Sequence, residues 1–154
     1  MIKATGQKPV HLRFDGGKVL ITPEDSVRFR MAARRAVRVL HHAKVRDEAV
    51  KRFQDEYLPR LHAWCQKNKD LVEACYLGLP TPHGLTVFVL GVALKYSFDL
   101  GDRISDFALE LEQEGWSSDV IQISNGDGDE ISTFFDPENA LQIYAQPQTT
   151  SSQG

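Results

Sequence analysis

Residues 85–124 read as strand, helix, strand, and that succession limits the fold of the whole chain. Leu85 to Phe98 is rich in Val, Phe, Thr and Tyr, which suit a pleated surface, and Gly91 is placed to divide or bend the run. Gly101 to Glu114 carries Ile104, Phe107, Ala108 and Leu111 at helical spacing, with Gly115 as the C-terminal stop. Asp119 to Ser124 returns to a strand pattern. Together these predict a β-α-β unit, whose crossover is right-handed if the strands are parallel. Its sheet needs a cover on one face, and the helices expected earlier in the chain supply it.

Upstream, Val10 to Ile21 reads as a β-hairpin. Two apolar runs flank Asp15-Gly16-Gly17, where glycine reaches positive φ without a Cβ clash. Thr22-Pro23-Glu24-Asp25 then opens a helix, with Thr22 as cap, Pro23 in the first turn and two acids near the positive end of the dipole. This helix runs to about Ala43 and puts Phe29, Ala32, Ala33, Ala36, Val37, Leu40 and Ala43 on one stripe. A second helix is expected from about Val45 to Lys67, kinked or divided at Pro59. Asp70 to Tyr76 reads as a short third helix and Leu77 to Gly84 as a loop. Asn125 to Glu130 reads as a polar turn, and Asp136-Pro137-Glu138 as the start of a last helix reaching Tyr144.

The fold class expected is therefore α+β, an N-terminal hairpin and helices packed on a small C-terminal sheet that contains the β-α-β unit. Residues 1–145 form a single domain in this reading. Residues 146–154, built of Gln, Pro, Thr, Ser and Gly, form a disordered tail. With 42% hydrophobic and 25% charged residues in 154, the composition is that of a globular protein with a sizeable core. No apolar run approaches the ~20 residues of a membrane span. Met1 to Val10 carries Lys3, Lys8 and Pro9 with no apolar stretch, so the expectation is a cytoplasmic protein with no membrane partner. Cys65 and Cys75, in apolar surroundings, are then expected as reduced, buried thiols.

Charge is unevenly placed. Residues 1–69 hold 16 Lys/Arg against 7 Asp/Glu, whereas residues 70–154 hold 2 against 14, and the chain as a whole is −3. The basic surplus concentrates on the first helix. Arg30, Arg34, Arg38 and His41 form one ridge, and Arg28 and Arg35 lie beside it. Like charges three and four apart repel on an isolated helix, so an acidic counterpart is expected. It is supplied by the acidic half, by another copy of the chain, or by nucleic-acid phosphate.

Other constellations carry less. The Arg35-x5-His41 spacing resembles the arginine-histidine motif of the HEPN ribonucleases, whose pair acts on the RNA 2′-hydroxyl and phosphate. The resemblance covers a handful of residues, with Ala36 where that family favours a polar one, and it assigns no family. Asn125, Asp127, Asp129 and Asp136 have the oxygen spacing of an EF-hand calcium loop. Glu130 stands where that loop needs glycine, Asp136 replaces the bidentate glutamate, and a strand precedes it, so a solvated acidic turn is expected. His62 and Cys65 share one side of a helix but lack two further metal ligands, and a partly buried histidine beside Trp64 is the simpler reading.

No Walker loop, Gly-x-Gly-x-x-Gly, Gly-x-Ser-x-Gly or His-Glu-x-x-His is present. The expectation is an interaction or regulatory module rather than an enzyme, without a cofactor or metal, acting through its charge-polarised surface as a homo-oligomer or with a protein partner. The alternative is a nucleic-acid-binding protein, or a ribonuclease, that uses the arginine ridge.

Overall fold

A computed structural model describes residues 9–41, 47–81, 84–116, 119–125 and 140–146. It has the α+β class read from the sequence. A five-stranded mixed sheet has the order β1-β7-β4-β5-β6, and a two-stranded hairpin, β2-β3, stands apart from it.

Strand β1 (Val10–His11) does not continue into the hairpin. The chain breaks step at Leu12, and β1 joins the main sheet by pairing parallel with β7 (Leu141–Ala145). The hairpin is β2 (Arg13–Asp15) and β3 (Lys18–Leu20), with Phe14 opposite Val19. Gly16 at φ 59° and Gly17 at φ 80° make the two-residue turn, both in the left-handed region that a primed hairpin turn requires.

A 3₁₀ turn, Pro23–Asp25, leads into α1 (Ser26–His41). Thr22 does not cap it through a backbone amide. Its hydroxyl donates instead to the Asp25 carboxylate at 3.2 Å. Of the expected stripe, Phe29, Ala32, Ala33, Ala36 and Val37 are buried, and the Leu40 side chain and Ala43 lie outside the described residues. After α2 (Asp47–Arg52) the helix widens into a π-turn over Phe53–Tyr57 and resumes as α3 (Leu58–Lys67). The irregularity expected at Pro59 thus falls just before it. Leu58 N–H bonds back to the Phe53 carbonyl, five residues away, in the turn that precedes a ring unable to donate.

Three segments differ from the sequence reading. Asp70 to Tyr76 is not a helix, and Leu77 to Gly84 is not wholly a loop. Val72–Thr81 is strand β4, paired antiparallel with both β5 (Gly84–Gly91) and β7. Its apolar residues suit either structure, and the centre of the sheet decides. Cys75 and Leu77 are buried on one face while Ala74 lies on the other. Pro80 is tolerated because the ladder is irregular between Gly78 and Thr81. At the other end, Leu141–Ala145 is a strand, not the close of a last helix, with Leu141 and Ile143 inward at period two. Gln146, expected in the tail, donates its N–H to the Glu73 carbonyl at 2.9 Å and its side-chain amide to that of Val72 at 2.8 Å.

The predicted β-α-β unit is present. β5 pairs parallel with β6 (Asp119–Ile123), from Thr86 opposite Asp119 to Leu90 opposite Ile123. Between them α4 (Phe98–Gln113) begins three residues earlier than expected. Ser97 Oγ accepts from Leu100 N–H at 3.1 Å and so sets that start. Gly115, at φ 93°, follows its end. β5 ends at Gly91, where a Cβ would come within 3.1 Å of Leu100 Cδ2.

Helices from both halves of the chain cover one face of the sheet. Phe29, Ala33 and Val37 of α1, Leu61 and Cys65 of α3, and Leu100, Phe107 and Leu111 of α4 share a cluster with Val87, Val89 and Leu141. Ala74, Phe88, Leu90, Ile123 and Ala140 form a separate cluster from the strands' opposite side chains. Among the described residues no helix is long and apolar enough to cross a membrane.

Candidate functional site

Helix α1 is basic because its outward positions are, and its fold follows from the same periodicity. With the alanines and Phe29 turned to the sheet, Arg30, Arg34, Arg35 and Arg38 are exposed and Arg28 is half-buried. The ridge read from the sequence is therefore a solvent face as far as Arg38. The side chain of His41, its last member, lies outside the described residues.

Two ion pairs of this face are long. Arg28 meets Asp25 at 4.0 Å, and Arg34 meets Asp47 at 3.9 Å across two well-exposed side chains. Pairs of that length in water contribute little. Both acids belong to the basic half, so these contacts are not the cross-half pairing expected for the ridge. Cross-half pairing occurs elsewhere. Arg60 of α3 reaches Glu110 at 2.6 Å and Glu114 at 3.1 Å, lying over the ring of Phe107, whereas the Arg103–Asp70 pair, at 3.0 Å, stays within the acidic half.

Apolar side chains missed in the sequence reading lie among the arginines. Val27 is 68% exposed and Met31 56%. With Arg34 and Arg38 they follow spacings of four, three and four, which places them on one line of the helix. Helix α4 has a similar line of opposite charge. Phe98 (81% exposed), Asp102, Ser105, Leu109 (59%) and Glu112 follow spacings of four, three, four and three. Helix α1 has five arginines and no acid, whereas α4 has five carboxylates and one arginine. Helix α1 packs against β5 and α4 against the neighbouring β6, on the same face of the sheet. The signal in α4 was legible in principle, since Leu109 falls between two acids on the outward side of an amphipathic helix.

The other candidates separate. Asn125 donates its side-chain amide to the Val92 carbonyl at 3.3 Å, and β6 precedes it as a strand. Asp127, Asp129 and Asp136 lie outside the described residues. Among the described residues no group of three or more metal-ligating side chains occurs. His62 and Cys65 belong to no group of three or more metal-ligating side chains among the described residues. His62 stacks on Phe14 with ring centroids 4.0 Å apart and meets Tyr144 edge-on at 5.9 Å. Cys65 is buried, and a hydrogen bond with Cys75, then burial, holds its pKa well above the ordinary thiol value. Both cysteines are free thiols. Such a thiol is a poor nucleophile.

A cleft of about 1010 Å³ opens where the hairpin, α3 and the end of β7 meet. Arg13, Phe14, His62, Lys69 and Tyr144 line it. These residues come from three distant segments, and no sequence motif links them. Burial lowers the pKa of His62, so its imidazole is neutral at pH 7. Burial first, then the nearby Cys65 and Glu73, raise that of the Tyr144 phenol.

Comparison with protein-family models, with curated proteins and with solved structures finds no match. The reading of the site rests on its own geometry.

Proposed function

We propose that this protein is an interaction or regulatory module that works through the outward faces of α1 and α4, and that a second copy of the chain is its partner. The observation that carries the reading is the pair of exposed apolar residues, Val27 and Met31, inside the arginine face of α1. A face built for phosphate alone needs only cations along a backbone track. A protein interface has an apolar centre and a polar rim, with Met and Arg enriched.

Helix α4 supplies the complement, with Leu109 and Phe98 apolar and Asp102 and Glu112 beside them. One helix pair alone is small against the roughly 1,200–2,000 Å² of a stable interface. A two-fold arrangement doubles it, since α1 of each copy meets α4 of the other. That both helices lie on one side of the sheet makes such a face-to-face pairing possible.

Light scattering tests this. At tens of micromolar in ~50 mM salt the expected species is a dimer, weakened toward ~1 M salt, where the Debye length falls to ~3 Å. A monomer at low salt removes the reading. The alternative, nucleic-acid binding by the same ridge, requires tight binding of RNA or DNA at physiological salt that Arg34→Glu/Arg38→Glu abolishes in a folded, monomeric protein.

A further inference from the structure

We infer that the cleft between the hairpin, α3 and β7 is a binding site for a small organic anion carrying a planar aromatic ring. It involves a different surface from the α1 and α4 faces and does not depend on their pairing.

The charge argument comes first. Among the described residues the cationic side chains lining the cleft are Arg13 and Lys69 and no carboxylate lines it, Glu73 lying beside it close enough to act on Tyr144. Neither cation forms an ion pair or side-chain hydrogen bond with the described residues. This contrasts with Arg60, Arg103, Arg52 and Lys51, each paired with an acid within 4.0 Å. Arg13 sits on β2 and Lys69 just beyond the end of α3, so the fold converges on one concavity two cations, from separate segments, that have no ion-pair partner among the described residues. A guanidinium and an ammonium facing one cleft favour a phosphate or carboxylate.

The second argument is the wall beside them. Phe14 and His62 are stacked at an interplanar angle of 18°, and Tyr144 closes against His62 edge-on. Three rings in contact form a rigid aromatic surface in the cleft, suited to a flat ring by offset stacking or edge contact. Neither ring nitrogen of His62 nor the Tyr144 hydroxyl is hydrogen-bonded among the described residues. A neutral imidazole offers one donor and one acceptor, and a phenol offers both, so polar edges of a bound ring have partners. The backbone frame is fixed by the Gln146 amide, which donates to the Val72 carbonyl at 2.8 Å, and by the Leu12 N–H, which donates to Gln142 at 3.1 Å. A cleft of about 1010 Å³ is ample for a mononucleotide or an aromatic carboxylate.

The test is calorimetric titration of the full chain with adenosine monophosphate, phenylacetate and inorganic phosphate, each to ~10 mM. At least one ring-bearing anion is expected to bind with a Kd below ~1 mM and at least tenfold more tightly than inorganic phosphate. Which one binds distinguishes a nucleotide from a carboxylate source. Arg13→Ala/Lys69→Ala, two exposed positions, is expected to stay folded by circular dichroism and to lose at least tenfold in affinity. Phe14→Leu is expected to reduce the preference for the ring-bearing anion. The inference is overturned if no probe binds, if phosphate binds as well as the ring-bearing anions, or if the folded double variant binds like wild type. Should the double variant not fold, Lys69→Ala alone carries the test, with a loss expected and unchanged affinity overturning it.

Discussion

Arginine is used in two ways in this molecule, and helices α1 and α3 show the difference. Arg60 of α3 is only 28% exposed in its side chain, forks onto Glu114, reaches Glu110 and covers Phe107. It joins the basic half of the sequence to the acidic half. Around it Trp64 stacks on Phe107 with centroids 4.5 Å apart, and Tyr57 meets Trp116 at 4.9 Å. Arg34 and Arg38 of α1 are exposed, and Arg34 meets Asp47, whose side chain is fully exposed, only at 3.9 Å. The folded state needs the first arrangement. The second has, among the described residues, one long ion pair at Arg34 and none at Arg38.

The largest test of that contrast removes bulk from each helix. Trp64→Ala, in the α3–α4 contact, is expected to cost about 3–5 kcal/mol of stability by urea denaturation. Met31→Ala on the open face of α1 should stay within ~0.5 kcal/mol. Similar losses from the two would mean that α1 is covered within the monomer.

Charge removal is the next step down. Arg60→Ala is expected to cost about 1–2 kcal/mol, less than a fully buried charged pair because its acids are half in solvent. A double-mutant cycle with Glu114→Gln should show coupling, and additivity would reduce Arg60 to a packing residue. Arg34→Glu/Arg38→Glu should leave the monomer's stability within ~0.5 kcal/mol while weakening assembly.

The smallest effect is a pH dependence from His62. Burial lowers its folded pKa below the ordinary 6.5 of the unfolded chain, so the unfolded state binds the proton more readily. The contribution is complete above pH 6.5 and is lost as pH falls through the folded pKa. His62→Gln should therefore show a smaller loss of urea midpoint between pH 7.5 and pH 5.5 than wild type. An equal loss would place the dependence on other groups.

Where the signal was local, the sequence carried it. Gly16-Gly17 marked the hairpin, Gly115 the end of α4, and the apolar spacing of 104, 107 and 111 the helix between two strands. The arginine ridge was legible for the same reason, since it follows from one helix's periodicity. What was lost depended on distant partners. Val72–Thr81 is a strand because β5 and β7 flank it, and a short apolar run of that kind does not distinguish strand from helix. Leu141–Ala145 was hidden behind an Asp-Pro-Glu helix-start signal, and its partners lie at Val10 and Ala74, far along the chain. The cleft was illegible because Arg13, His62, Lys69 and Tyr144 meet only after β1 and β7 pair. The arrangement of α1 and α4 on one side of the sheet is likewise a property of the fold.

The central claim is that the basic face of α1 and the acidic face of α4 recognise each other between copies. Charge reversal with complementation tests it most directly. Arg34→Glu/Arg38→Glu reverses the charges on the outward line of α1, and Asp102→Lys/Glu112→Lys reverses those on the outward line of α4. Sedimentation velocity at ~50 mM salt, where screening is weak, should find each variant monomeric alone and an equimolar mixture dimeric. A mixture that stays monomeric while wild type dimerises, or variants that dimerise as well as wild type by themselves, would contradict the account.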